Sequence, residues 1–204
     1  MKKSIIFALL FLAACGRSGQ PDLSGYEAEE GLTRLCNNPA LLGEPAEQIS
    51  EGVCGIDNPV AVRYVAGVRL SAPATINCQT ANTLAVWVEN DAQDAVKKLR
   101  SPITEITVFA SYACRSRNSQ RGARMSEHTL GNAIDIGMFT LASGTELSVE
   151  EDFYSAGKEG QAMRALHISA CGPFGTVLGP DSDRFHYNHF HFDTAAYRSG
   201  AYCR

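Results

Sequence analysis

The sequence predicts an α+β fold: a single domain in which helices flank a small antiparallel sheet and disulfide bonds stabilise the whole. Two observations support this prediction. Strand-like and amphipathic helical segments follow one another without the strict alternation that a doubly wound parallel sheet requires. The chain has 204 residues and seven cysteines, which is enough for one domain of ordinary size and for several disulfides in an oxidising compartment.

The N-terminus has the features of a secretory signal. Met1-Lys2-Lys3 supplies positive charge, and the apolar run 5–12 is too short to span a bilayer as a stable helix. Leu12-Ala13-Ala14-Cys15 resembles a bacterial lipobox, which implies removal of residues 1–14 and lipidation of Cys15. The alternative is an ordinary signal peptide cleaved near Ala14, with Cys15 incidental.

The lipobox resemblance has consequences for localisation and domain organisation. Gly16 follows Cys15, and no aspartate that would retain a lipoprotein in the inner membrane is present. We therefore expect a periplasmic protein, lipid-anchored at Cys15 to the outer membrane of a Gram-negative bacterium. Residues 15–30 would form a flexible tether, and residues 31–204 the folded domain.

The remaining cysteines are even in number, as expected for disulfides. With Cys15 set aside, six are left in an oxidising compartment. Sequential pairing closes loops without crossing, so we expect Cys36–Cys54, Cys78–Cys114 and Cys171–Cys203. None of the six shows CxxC spacing, which argues against a thiolate zinc site.

Composition narrows the possible partners. The net charge is −4 at pH 7, and 45% of the residues are hydrophobic. No long block of lysine or arginine is present, so nucleic-acid binding has little electrostatic support. No second apolar segment is long enough to cross a membrane. Nothing in the sequence indicates the oligomeric state.

The first half of the domain predicts one hairpin, one helix and one strand. Residues 36–55 contain prolines and predict an irregular, disulfide-pinned wrap. Residues 60–70 predict a β-hairpin with its turn at Ala66-Gly67. Apolar residues at every third or fourth position predict an amphipathic helix over 77–99, capped by Asn77, Thr80 or Asn82, with Trp87 in the core. Residues 103–110 predict a strand.

The second half predicts further elements around two histidine clusters. These elements are a polar loop at 115–127, a strand at 133–139, a helix at 158–170, a short strand at 174–178 and a last strand at 190–193. Only five histidines occur in the chain, and four of them fall into the two clusters. The first cluster contains His128 and Asp135, and the second contains His186, His189, His191 and Asp193.

This set of side chains predicts a zinc site. Imidazoles with a carboxylate, and no free thiol nearby, suit Zn²⁺. Side chains alternate along a strand, so His189, His191 and Asp193 share one face while Phe190 and Phe192 face the core. His128, Asp135 and one histidine of the second cluster would leave a fourth position open, which is typical of catalytic zinc. Gly131 and Ala133 would keep bulky side chains away from the metal.

Other interpretations apply to individual residues. His167, on a helix and outside any motif, is expected to be a hydrogen-bonded core residue. Asp193 is expected to orient a histidine rather than bind the metal. Asp135, taken alone, would more often be a turn or capping residue. The clustering of these residues favours a metal site over such separate roles.

The metal motif resembles known zinc peptidases. Ser126-x-His128-x-x-Gly131-x-Ala133-x-Asp135 with a distal His189-x-His191 is similar to the motif of the D-alanyl-D-alanine carboxypeptidase and lysostaphin-type (LAS) peptidases, which cleave peptidoglycan peptides. The wider sequence, from about Leu32 to Cys203, resembles the bacterial extensin-like C-terminal domain family. The matching segments are 111–118, 126–128, 131–136, 170–174, 177–180 and 189–193.

The resemblance implies a LAS/hedgehog-like sheet, one Zn²⁺ per chain and specific residue roles. The implied ligands are His128, Asp135 and His191, with His189 as general base or acid and His186 beside it. Arg115 would hold a substrate carboxylate or the oxyanion, with Arg117 as the competing candidate and Ser126 as a further substrate contact.

One departure leaves the function open between classes. Some of these peptidases carry a glutamate where this chain has Asn188, so the base would be a histidine. The preferred hypothesis is a zinc peptidase acting on peptidoglycan peptides, as a carboxypeptidase or an endopeptidase. The second is a non-catalytic zinc lipoprotein that binds cell-wall peptides or an envelope partner. A cysteine–histidine amidase is third, because pairing of all six cysteines would leave no thiol.

Overall fold

A computed structural model describes residues 31–196 and 199–204 of the chain. The predicted signal peptide, the lipidation site at Cys15 and the tether all lie outside the described residues. Across the described residues no helix is long and apolar enough to cross a membrane.

The core of the fold is one large mixed sheet. The strands are β1 (Thr33–Leu35), β2 (Asn38–Pro45), β3 (Ile49–Glu51), β4 (Cys54–Ile56), β5 (Val60–Val65), β6 (Val68–Ile76), β7 (Ile103–Ala110), β8 (Ala133–Leu141), β9 (Glu146–Ser148), β10 (Thr176–Leu178), β11 (Phe190–Asp193) and β12 (Tyr202–Cys203). The strand order of the large sheet is β1-β2-β5-β6-β7-β8-β11-β10-β12, with β9 paired to β8, and β3 and β4 form a separate hairpin. The prediction of an α+β single domain is confirmed, but the prediction of a small antiparallel sheet is wrong.

Parallel pairing arises at two places in this sheet. Strand β6 pairs with β7 in parallel, and β10 pairs with β12 in parallel. The first case has a direct cause. A helical crossover connects β6 to β7 and returns the chain to the end of the sheet at which β6 begins, so the two strands run in the same direction. The sequence pattern of strand, helix and strand over 68–110 is compatible with such a crossover, but it does not by itself predict that the two strands pair in parallel.

The sheet is also larger than predicted because the wrap at 36–55 is not irregular. Its strand β2 joins the large sheet and buries Ala40, Leu41 and Leu42, while β3 and β4 form the separate hairpin. The two prolines of this segment do not prevent strand formation, since Pro39 and Pro45 lie at the ends of β2, where a missing backbone donor is tolerated.

The helices follow the predicted bounds closely. Helix α1 (Cys78–Trp87) begins at Asn77, whose side chain accepts a hydrogen bond from the Thr80 backbone N–H. The helical run continues through a π turn (Val88–Ala92), α2 (Gln93–Val96) and a 3₁₀ turn (Lys97–Leu99). A short helix α3 (Val149–Asp152) was not predicted, and α4 (Lys158–Ala170) matches its prediction.

Helices and sheet share an aromatic core. Trp87 of α1 lies edge-on to Phe192 of β11, with ring centroids 5.2 Å apart, and its indole N–H donates to Ser169 Oγ of α4. Phe190, Phe192 and Phe139 are fully buried in the same cluster. The predicted inward orientation of the two phenylalanines of β11 is therefore confirmed.

The disulfides differ from sequential pairing at two of three positions. The structure pairs Cys36 with Cys78 and Cys54 with Cys114, whereas Cys171–Cys203 is as predicted. The rule of non-crossing loops fails because the strand order, not the order along the chain, decides which cysteines meet. The Cys54–Cys114 bond ties the β3–β4 hairpin to the chain directly before Arg115.

His167 is buried between aromatic rings, in agreement with its predicted place in the core. Its imidazole lies edge-on to Phe153 and 5.1 Å from the Phe190 ring, measured between centroids. Within the described part of the chain its Nε2 has no hydrogen-bond partner. Burial lowers the pKa of His167, although the Arg204 backbone and the Asp181 charge partly oppose this.

His167 is expected to make the domain sensitive to acid. In the unfolded chain His167 takes up a proton near its ordinary pKa of about 6.5, but in the folded chain only at lower pH. The unfolded state thus binds more protons below pH ~6.5, so this part of the stability is complete above that pH and is lost as the pH falls. We expect the melting temperature of the wild type to drop more between pH ~7.5 and ~5 than that of His167→Gln. An equal drop in melting temperature for the two proteins over this pH range would contradict this role of His167.

Candidate metal centre

Two of the predicted ligands face each other across paired strands. Asp135 of β8 lies directly opposite His191 of β11 in an antiparallel register. Their neighbours Ile134, Ile136 and Phe190 are fully buried in the helix-side core. Since side chains alternate along a strand, this apolar anchoring directs both donors to the other face of the sheet.

The third ligand comes from a short turn. His128 lies in a 3₁₀ turn (Glu127–Leu130) that begins at Ser126, whose Oγ accepts the His128 backbone N–H at 3.4 Å. The turn ends at Gly131 with φ +65°. A Cβ on Gly131 would lie 2.5 Å from Ile56 Cδ1 and 2.9 Å from the Asn77 backbone nitrogen. Packing against β4 and the start of α1, not access to a metal, is therefore what requires glycine here.

The three donor atoms form a nearly equilateral triangle. Asp135 Oδ1 lies 3.1 Å from His128 Nε2 and 2.9 Å from His191 Nδ1, and the two nitrogens are 3.2 Å apart. Ligand atoms about 2.0–2.1 Å from a tetrahedral zinc ion are about 3.3 Å from one another. The predicted set His128, Asp135 and His191 thus comes together at separations that fit a metal ion with little rearrangement.

Partners behind the ligands orient both imidazoles. His128 Nδ1 donates to the Ser111 carbonyl oxygen, so its Nε2 faces inward, 3.1 Å from Asp135 Oδ1. His191 Nε2 lies 3.3 Å from Asp193 Oδ2, and the other Asp193 oxygen accepts the Ala195 backbone N–H. The expected contact between Asp193 and a histidine is present. The Ser111 carbonyl was not foreseen, because every residue has one and no side chain marks it.

The charges within the donor triangle favour the binding of a cation. Burial alone would raise the pKa of Asp135, but hydrogen bonds from His128 and His191 outweigh it and lower that pKa far below its ordinary value. Burial alone would lower the pKa of His191, but Asp135 and Asp193 outweigh it and raise that pKa to about 9. Without metal the centre therefore holds an imidazolium between two carboxylates. A metal ion would take the place of the proton on His191 Nδ1.

His189 lies beside the triangle with a different set of contacts. Its Nε2 is 3.8 Å from Asp135 Oδ1, and its Nδ1 donates to Asn188 Oδ1 at 2.9 Å. An amide oxygen only accepts, so Nδ1 carries the proton and Nε2 presents its lone pair to the centre. Burial lowers the pKa of His189 to about 4, so the ring is neutral at physiological pH. Asn188, the departure from the peptidase motif, thus holds His189 in place.

His186 lies next to His189 and His191 but is not one of the three close donors. Its ring lies 5.2 Å from that of His189 and 5.8 Å from that of His191, between centroids. Its Nδ1 pairs with Asp183 Oδ1 at 2.8 Å, and burial lowers its pKa. Asp183 was not predicted as a partner, although its spacing of three residues from His186 is a usable signal.

The centre opens into a cavity of about 380 Å³ that also holds both predicted arginines. One guanidinium nitrogen of Arg115 lies 3.6 Å from Asp135 Oδ2, and one of Arg117 lies 3.7 Å from Glu127 Oε1. A β-bridge between Ser116 and Met125 closes the loop that carries Arg117, and Arg115 directly precedes this loop. Ser126 also lines the cavity, although its hydroxyl is engaged by the His128 backbone.

Comparison with known proteins gives one match. The sequence matches the family described as Extensin-like protein C-terminus over residues 33–204. The chain belongs to this family. No curated protein and no solved structure matches it. None of these comparisons supports the predicted similarity of this extensin-like domain to the LAS peptidases, which stays a prediction from the motif.

Proposed function

We propose that this extensin-like domain is a zinc-dependent peptidase that cleaves peptidoglycan peptides in the periplasm, as a carboxypeptidase or an endopeptidase. The observation that carries the proposal is the donor triangle of His128, Asp135 and His191 on the wall of an open cavity, with the unprotonated Nε2 of His189 beside it. A structural zinc site is usually closed by four protein ligands, whereas three ligands beside a cavity are typical of catalysis.

The contacts of these residues support the role that we propose for each of them. Zinc bound there would lower the pKa of a water molecule and polarise the scissile carbonyl. His189 Nε2 would accept the proton from that water and pass it to the leaving amine. Arg115, 3.6 Å from Asp135 Oδ2, would hold a substrate carboxylate or the developing oxyanion, since a guanidinium binds such groups with two parallel hydrogen bonds.

An extracytoplasmic location supports the proposal of a cell-wall substrate. Three disulfides indicate an extracytoplasmic domain, and we propose that the lipid anchor at Cys15 holds it to the outer membrane. Nucleic acid is not proposed as a partner. All six cysteines among the described residues are disulfide-bonded, so the cysteine–histidine amidase hypothesis is without a nucleophile there.

One observation favours a second candidate function. Position 188 is an asparagine, and its side chain binds His189 rather than offering a carboxylate base. If a histidine base does not suffice, the same centre would make the protein a non-catalytic zinc lipoprotein that binds cell-wall peptides or an envelope partner.

Digestion of purified peptidoglycan separates the two candidates. The domain would be prepared with one zinc per chain, stripped with a chelator and then reloaded, and the soluble products would be resolved by mass spectrometry. We expect new muropeptides with the loaded and reloaded forms only, and the masses would identify the bond. Stoichiometric zinc without any new product would contradict the peptidase and support the binding role.

A further inference from the structure

Phe109 presents an exposed aromatic ring next to the proposed metal centre. It lies on β7, is 53% exposed, and is not part of the hydrophobic core. Its ring centroid is 6.5 Å from that of His189. A Cβ built on Gly137 would lie 2.1 Å from two of the ring carbons. The ring therefore rests on bare backbone of β8, two residues beyond Asp135.

The strand beneath the ring is irregular at this point. Along the β7–β8 ladder Thr107 pairs with Met138 and Val108 pairs with Ile136, so Gly137 is the extra residue of a β-bulge. Bulges often re-aim side chains next to functional sites. Glycine at the bulge lets the Phe109 ring approach the backbone more closely than any side chain would allow.

The two sides of the Asp135 carboxylate face different chemistry. Arg115 approaches Oδ2, whereas His189 approaches Oδ1 and Phe109 lies next to His189. A substrate at the centre would thus have a cationic group on one side and an apolar ring on the other. Phe109 is not among the residues that line the cavity, so its ring would contact a part of the bound peptide that extends past His189.

We propose that the exposed face of Phe109 is a subsite for an aliphatic side chain of the peptide, on the His189 side of the proposed metal site. This inference rests on the proposed function and names the residue type that the peptide places beside His189. An aliphatic group fits better than a sugar, because sugar hydroxyls need hydrogen-bond partners beside the ring. His189 offers none, since Nδ1 is engaged by Asn188 and Nε2 faces Asp135.

Two substitutions perturb this subsite in different ways. Phe109→Ala removes the ring, and Gly137→Ala keeps the ring but displaces it with a methyl group. Phe109→Leu retains apolar surface and should restore most of the function. Ile168→Ala is the matched control, because Ile168 is 69% exposed on α4 and does not line the cavity.

The readouts are zinc content, co-sedimentation with insoluble peptidoglycan, and hydrolysis. For Phe109→Ala and Gly137→Ala we expect one zinc per chain, with binding weakened about tenfold and KM raised about tenfold at little change in kcat. Ile168→Ala should behave as the wild type. Glycan strands stripped of their peptides should show no difference between the wild type and Phe109→Ala.

Each outcome decides for or against the subsite. Wild-type binding and KM in a zinc-loaded Phe109→Ala protein would overturn it, and so would an equal loss of binding to peptide-free glycan, which would assign the ring to sugar. If the wild type binds without cleaving and Phe109→Ala binds less, the peptidase proposal fails but the subsite stands. If the wild type neither binds nor cleaves peptidoglycan, both the peptidase proposal and the subsite proposal are wrong.

Discussion

Asp135→Asn is expected to abolish tight zinc binding while the domain stays folded. The carboxylate oxygen Oδ1 contacts both ligand nitrogens, at 2.9 and 3.1 Å, and is the one anionic donor of the triangle. An amide of the same size removes this charge and one acceptor oxygen. Loss of an outer hydrogen-bond partner of a metal ligand typically costs about 10–100-fold in affinity. Loss of a directly bound anion should cost considerably more.

Two further carboxylates of the cavity provide graded controls. Asp193→Asn changes the partner of His191 Nε2 and should weaken zinc by about 10–100-fold. Asp183→Asn alters the contacts to His186 and to the Phe185 backbone N–H, neither of which is a proposed ligand, and should leave zinc affinity unchanged. Competition with a chromophoric chelator measures the three affinities, and circular dichroism checks the fold. Wild-type affinity in Asp135→Asn would show that the ligand assignment is wrong.

His189→Ala is expected to remove most of the turnover without removing zinc. His189 Nε2 is 3.8 Å from Asp135 Oδ1 and is not one of the three close donors. A well-placed general base contributes about 10²–10⁴-fold to a rate, so kcat should fall by that amount. Burial holds the pKa of His189 at about 4, so the wild-type ring is already in the base form at neutral pH. Zinc content and kcat measured on the same preparation check both parts.

Neighbouring substitutions test whether the proton transfer belongs to His189. Asn188→Ala removes the acceptor that keeps the proton on Nδ1, so a smaller fall in kcat is expected with zinc retained. His186→Ala should also have a smaller effect, because its ring contacts the His189 ring and pairs with Asp183. Full activity in His189→Ala combined with a large loss in His186→Ala would transfer the role to His186.

Local sequence patterns were sufficient to predict the bounds and the side-chain orientation of several elements. Helix α4 and strand β11 have the predicted bounds, and Asn77 is one of the three predicted caps of α1. Strand alternation placed Phe190 and Phe192 in the core and His191 on the other face. These outcomes depend on neighbours a few residues apart, where backbone geometry alone decides which side chains share a face.

Contacts between distant segments were predicted less well. Sequential order joined Cys36 to Cys54, whereas the structure joins Cys36 to Cys78 and Cys54 to Cys114. The two prolines of β2, Pro39 and Pro45, led to the prediction of an irregular segment where the structure has a buried strand. Gly131 was given a role at the metal, but its contacts are with Ile56 and Asn77. In each case the partner lies far away along the chain, and the packing of strands selects it.

The sequence by itself determined the chemistry available to this protein: scarce histidines gathered beside carboxylates, and an even set of cysteines beyond Cys15. Only the tertiary structure decided how that chemistry is arranged. The pairing of β8 with β11 sets Asp135 against His191, and the turn before β8 adds His128. The bulge at Gly137 then places Phe109 next to His189. Donor separations of about 3 Å arise from strand register and turn geometry, and these depend on the packing of the whole sheet.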